Sequence, residues 1–172
     1  MKIPEWKQQK LNNSCVLNVL CMMLSAYDIE IEVKDIVKAC FMDLMIDYDL
    51  HEKTFNCGFL ANQTAENYNN LFSQYNLELC EKTLYDTDQF NYEAKHLCSK
   101  GVPFMLSVPN SLLPYQEGKP ASQSKHALLV FRADHDKITV LDSDAGLERN
   151  RNYQFNEIQD KVIYSIELRK IR

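Results

Sequence analysis

Four residues of this chain, Gln9, Cys15, His126 and Asp142, have the types needed for one piece of chemistry. A thiol attacks a carbonyl carbon, an imidazole takes and returns its proton, a carboxylate holds the imidazole in one tautomer, and a side-chain amide donates to the developing oxyanion. Gln9 precedes Cys15 by six residues, His126 opens a strand-like run, and Asp142 closes the next one. The pattern points to acyl transfer through a cysteine-bound intermediate.

The elements that must position these residues are legible around them. In residues 15–27 (CVLNVLCMMLSAY), Leu17, Leu20, Cys21 and Leu24 form a helical stripe, and Asn12, Asn13 and Ser14 are N-cap types just before it. Cys15 therefore falls in the first helical turn. Unpaired N–H groups and the positive end of the helix dipole gather there and favour a thiolate. His126–Arg132 (HALLVFR) and Lys137–Asp142 (KITVLD) read as two strands joined by a turn over Ala133-Asp134-His135-Asp136. A turn centred near residue 134 puts His126 opposite Asp142, with Cβ atoms about 4.5–5.5 Å apart, so the carboxylate can hold one ring nitrogen and aim the other at a nucleophile. Asp144 lies two residues on, on the same face of an extended strand, and competes with Asp142 for the role. Gln8 competes with Gln9, and the six-residue offset favours Gln9.

Before the hairpin, further helices are expected over 33–49 and 63–76, the latter burying Ala65, Tyr68, Leu71, Phe72 and Tyr75 on one face. A short strand over 77–80, a helix over 87–99, a strand over 102–108 entered through Gly101, and an outer strand over 161–169 complete the reading. Helices first and an antiparallel sheet afterwards make an α+β fold. Residues 109–125 hold three of the five prolines and three serines, a connection long enough to carry function. This loop is the expected wall of an acceptor pocket. Trp6 is expected to anchor the N-terminal segment rather than line a substrate site.

Composition bounds the class. The 172 residues are 45% apolar and 25% charged, which fits one globular domain over 1–172. A net charge of −5 and a pI near 5.4 argue against nucleic acid as a partner. No apolar run reaches the roughly 18–20 residues of a membrane span, and residues 1–14 lack a signal-peptide centre, so a cytoplasmic location is expected. The six cysteines (Cys15, Cys21, Cys40, Cys57, Cys80 and Cys98) include no CxxC pair, and neither a metal nor an organic cofactor is required. Cys21, on the apolar stripe, serves as the buried control for Cys15. Of the histidines only His126 has a strand partner, while His51, His96 and His135 lie in polar or turn-like surroundings.

The stretch QKLNNSC before a helix, with HALLVF, a turn and ITVLDSDAG, resembles the papain-like cysteine peptidase fold, in particular the C39-like bacteriocin-leader peptidases. Residues 102–142 are similar to the N-terminal domain of the butirosin-biosynthesis H type, and the amide-forming enzyme of closthioamide biosynthesis is a further resemblance. These resemblances imply a helical half carrying the Cys15 helix and an antiparallel half carrying His126 and Asp142. They imply Cys15 as nucleophile, His126 as base and acid, Asp142 as orienter and Gln9 as oxyanion donor. The implied partners are an acyl or peptidyl carrier protein bearing a phosphopantetheine thioester, and an amine acceptor. Carrier docking would call on Lys7, Lys10, Arg149, Arg151, Arg169, Lys170 and Arg172. The chain departs from the leader peptidases at Val16, where they carry glycine, and bulk there narrows the approach of a threading peptide. That departure and the absence of an appended transporter segment favour transfer to an amine. A C39-like peptidase and a non-catalytic papain-fold binding module are the alternatives.

Overall fold

The computed structural model describes residues 2–10, 14–40, 44–49, 54–59, 65–83, 87–114, 125–144, 149–159 and 164–171. In chain order the elements are α1 (Cys15–Ser25), α2 (Val33–Ala39), β1 (Leu44–Asp49), β2 (Thr54–Phe59), α3 (Ala65–Phe72), β3 (Leu77–Thr83), α4 (Thr87–Ser99), β4 (Phe104–Pro109), β5 (Lys125–Ala133), β6 (Lys137–Asp142), β7 (Asn150–Gln154), α5 (Phe155–Ile158) and β8 (Tyr164–Lys170). Six strands form one antiparallel sheet in the order β3-β8-β4-β5-β6-β7, and β1 with β2 forms a separate hairpin. The fold is α+β, as the sequence implies.

The sheet is covered on both faces. Ala127, Leu129 and Phe131 of β5 join Met105, Leu141, Ile166 and Leu168 in one core beneath α1, α2 and α3. Leu128 and Val130 turn the other way, into a second core with Phe104, Leu106, Val140 and the α4 residues Phe90, Ala94 and Leu97. A strand buried on both sides cannot alternate apolar with polar, which is why HALLVF runs unbroken. By the same logic α1 is buried almost all round from Leu17 to Ser25 rather than along a single stripe. It is the central helix, and it carries no charged residue.

At the end of α4 the chain reverses into β4 through Gly101. The Val102 N–H donates to the Leu97 carbonyl and the Gly101 N–H to that of Cys98, while Gly101 takes φ 72°, a left-handed conformation that suits a residue without a Cβ.

Three expectations need correction. The helix expected over 33–49 stops at Ala39, and Leu44–Asp49 is instead a strand in antiparallel register with Thr54–Phe59, Ile46 level with Cys57 and Tyr48 with Phe55; backbone pairing between strands overrides helical propensity. The first half is thus not purely helical. The strand expected at the outside lies inside the sheet, where β8 pairs with β3 on one side and β4 on the other, so its alternation reflects a polar but buried set, Ser165 and Glu167. Tyr75 is exposed rather than packed, because α3 ends at Phe72 and a tighter turn, Ser73–Tyr75, closes on left-handed Asn76. Strand β7 and helix α5 were not foreseen. In the long connection, residues 115–124 lie outside the described residues, and the acceptor wall expected there falls among them.

Candidate active site

The site lies where the first turn of α1 meets β5. Ser14 occupies the N-cap position without a side-chain cap bond, and the Asn18 amide turns back to donate to the Ser14 carbonyl (2.8 Å) and hydroxyl (3.1 Å). Asn12 and Asn13, the other expected caps, lie outside the described residues. Cys15 is half-buried, and its thiol is hydrogen-bonded to the His126 side chain and to the backbone N–H groups of Val16 and Ala127. Burial on its own would push this thiol up, but those bonds and the His126 charge outweigh it and leave the thiol below its ordinary value.

His126 and Asp142 meet, but not in the expected register. Asp142 is paired with Leu128 and His126 with Val108, because the turn is centred beyond residue 134 and a bulge between Val130 and Arg132 shifts the pairing again. In the turn itself the Asp134 N–H donates to the Lys137 carbonyl. The two side chains are therefore diagonal neighbours on one face, farther apart than a directly opposed pair, a gap that an imidazole and a carboxylate close. The His126 Nε2 lies 2.8 Å from an Asp142 carboxylate oxygen. With Nε2 engaged there as donor, the thiol faces the remaining ring nitrogen, Nδ1. Desolvation works to lower the His126 pKa, yet its bonds to Asp142 and Cys15 raise it to about 9. The lowered thiol and the raised imidazole both shift in the direction of a thiolate–imidazolium pair.

Asp142 is fully buried and held from several sides. Its backbone N–H donates to the Arg149 carbonyl (3.1 Å), and its own carbonyl accepts from Trp6 Nε1 (2.8 Å). The Asp144 N–H donates to the Asp142 carboxylate (2.9 Å), an Asx turn that keeps the side chain in place. Asp144 is exposed, so Asp142 is the carboxylate on the imidazole. The Arg149 guanidinium stacks on the Trp6 ring, 4.2 Å from its centroid.

Gln9 belongs to the same assembly. Its N–H donates to the Ser143 carbonyl (2.8 Å), and its side-chain oxygen accepts from the Ser143 hydroxyl (3.4 Å), which leaves the amide nitrogen as a donor. Gln8, the competing residue, is exposed and lines a neighbouring cavity.

Sequence reasoning missed the helpers of Asp142. Asp142-Ser143-Asp144 carries the Asx-turn signature, so the Asp144 bond was readable; the Trp6 and Arg149 contacts join residues far apart in the chain and left no local signal. The basic residues named for docking do not form one patch, although Lys7 and Lys10 line that same neighbouring cavity with Trp6. Arg149 sits on Trp6 and Arg151 lies in β7, whereas Arg169 pairs with Glu167 on β8, with three strands between β8 and β7. Arg172 is outside the described residues.

Of the other cysteines, Cys21 is buried and desolvation pushes its thiol up to about 12. Among the described residues no group of three or more histidine, cysteine or acidic side chains is placed to hold a metal ion. His135 is exposed and His96 stacks on Tyr92, while His51 lies outside the described residues. No helix among the described residues is long and apolar enough to cross a membrane.

The architecture has solved counterparts. The peptidase domain of Streptococcus ComA, a bifunctional ABC transporter involved in a quorum sensing pathway, is similar over 94% of this chain and 95% of that domain, with a TM-score of 0.59 and 14% identity. A protein described as a C39-like peptidase from Bacillus anthracis is similar over 98% of this chain and 95% of its own, with a TM-score of 0.60 and 14% identity. The fold is that of C39-like, papain-like domains. No protein-family profile and no curated protein matches the sequence. In this C39-like fold the Cys15 helix is the central helix, and the strand bearing His126 lies directly beneath it.

Proposed function

We propose that the protein is a cysteine-dependent acyltransferase that takes an acyl group from a thioester and delivers it to an amine, forming an amide. The observation that carries the reading is the chain of contacts from the half-buried Cys15 thiol through the buried His126 to Asp142. Cys15 thiolate attacks the carbonyl carbon, and the Gln9 amide with the Cys15 backbone N–H receives the oxyanion. Collapse of the tetrahedral intermediate expels the donor thiolate, protonated by His126, and leaves an acyl-Cys15 thioester. The amine then attacks, His126 takes its proton, and Cys15 leaves as the thiolate. The donor is a carrier-protein thioester of the kind found in natural-product biosynthesis, and Val16 is the residue that favours this over a peptide threading past the helix start.

Hydrolysis is the second reading, favoured by the peptidase domain with which the fold is shared. It differs only in that water resolves the acyl-enzyme. Intact mass of the protein after incubation with acyl thioesters, followed by addition of amines, separates the two. An acyl adduct on the wild-type protein, absent from Cys15→Ala and discharged to an amide, supports transfer. Discharge to acid alone supports hydrolysis, and no adduct with any donor removes both and leaves a binding module.

A further inference from the structure

A cavity of about 510 Å³, within the size range of small-molecule sites, lies between the N-terminal segment, α1 and the start of α2. Its lining includes Ser14 and Gln8, the immediate chain neighbours of Cys15 and Gln9. It is therefore continuous in sequence with the reacting thiol and with its oxyanion donor, though neither that thiol nor that amide lines it among the described residues. The floor is the α1 face that presents Asn18 and the buried, neutral Cys21. Trp6, Ile31 and Val33 supply apolar walls.

The charges on this cavity run against those of the chain. The protein carries −5 overall, yet Lys7, Lys10 and Lys34 converge here and Glu32 is the single acidic residue among the described lining. Glu32 is already engaged: it caps α2 in a reciprocal capping box with Asp35 and pairs with Lys34. Lys7 pairs with Glu5 at 3.2 Å, and Lys10 makes no ion pair among the described residues. Three lysines against one glutamate in the lining, with Lys10 outside any ion pair among the described residues, beside the apolar Trp6, Ile31 and Val33, suit an anionic group attached to an apolar stem.

From this arrangement we infer that the cavity is a binding subsite for an anionic oxygen group, carboxylate or phosphate, carried on a short chain. The inference rests on the acyl-transfer reading for its biological use and names the part of the donor held while Cys15 reacts. Two sources share that chemistry: an acyl group that is itself acidic, or the phosphodiester of a phosphopantetheine arm.

Trp6 is the only tryptophan of the chain and walls the cavity, so its fluorescence reports occupancy without turnover. The Cys15→Ala protein is titrated with octanoate and its neutral counterpart octanamide, and with 4′-phosphopantetheine and its neutral counterpart pantetheine. The expected result is a change in Trp6 emission with at least one anionic probe, at a Kd at least tenfold below that of its neutral counterpart. Lys10→Glu combined with Lys34→Glu, both on exposed side chains, erases that preference. Octanoate binding assigns an acidic acyl group, and 4′-phosphopantetheine binding assigns the donor arm. Neither anion binding, or anion and neutral probe binding alike, overturns the subsite. Acylation of Cys15 in a protein that binds neither anion removes the subsite and leaves the reaction; binding in a protein that no thioester acylates removes the reaction and leaves the subsite.

Discussion

Cys15 and Cys21 lie on one helix, six residues apart, and have opposite chemistry. Both are largely removed from water, and desolvation acts on both in the same direction. Cys21, in the middle of α1, meets nothing that outweighs it and its thiol is pushed up to about 12. Cys15, in the first turn, meets an imidazole and two backbone N–H groups, and its thiol falls below the ordinary value. The difference teaches that reactivity here is a property of the helix end and the strand under it, since the residue type is shared and desolvation pushes both thiols the same way.

The largest way to break this contrast is to uncouple the imidazole. Asp142→Asn keeps the shape but removes the charge that supports the imidazolium, so thioester-driven acylation of Cys15 is expected to fall by about 10²–10⁴-fold, read by the rate of mass gain. An unchanged rate would mean that Cys15 owes its thiolate to the helix end alone.

A second test reads the two cysteines directly. At pH 7, Cys15 is expected to react with iodoacetamide at least ~10²-fold faster than Cys21, located by peptide mass mapping, because the thiolate is the nucleophile and only one thiol is lowered. The pH dependence has a fixed sign. The thiolate–imidazolium pair is lost on the acid side when Cys15 gains a proton, below the ordinary thiol value, and on the alkaline side near pH 9, when His126 loses one. Acyl transfer is therefore expected to fall as pH rises through about 9, whereas Cys21 labelling rises throughout. Equal labelling of the two cysteines at pH 7 would dissolve the contrast.

The smallest effect sharpens it. Trp6→Phe keeps a ring under Arg149 but removes the N–H that holds the Asp142 carbonyl. Leaving that buried carbonyl without its donor costs about 1–3 kcal/mol of local order, expected as roughly a tenfold loss in kcat with KM little changed. A rise in KM alone would mean that Trp6 serves turnover through the cavity it walls and not through its bond to Asp142.

Much of this was legible in the residues themselves. Helix α4 over 87–99 and strand β6 over 137–142 stand at the positions read from periodicity and turn residues. Ser14, Cys15 and the apolar run after them announced the central helix, and the hairpin joined His126 to Asp142 even though its register was off by two. A register depends on turn geometry and on a bulge, and neither is encoded by alternation when both faces of a strand are buried. The strand β1 could not be separated from the helix before it, because residues 33–49 hold apolar residues at a density that fits either period. The inner position of β8 was hidden for a different reason. Ser165 and Glu167 look like a solvent face, and only the neighbouring strands make them buried.

That inner strand has a consequence for how the chain assembles. Leu77 pairs with Lys170 and Phe104 with Glu167, so β3 and β4 stay apart until residues 164–170 arrive between them. During synthesis the β4-β5-β6-β7 set can close by hairpins and a single longer return, while β3 waits with an open edge. Pairing at such sequence separation is slow, and the waiting edges are where partly made chains stick to one another. Strand β8 thus acts as a latch on the sheet, and sticking at the edges of β3 and β4 is expected to end as it docks.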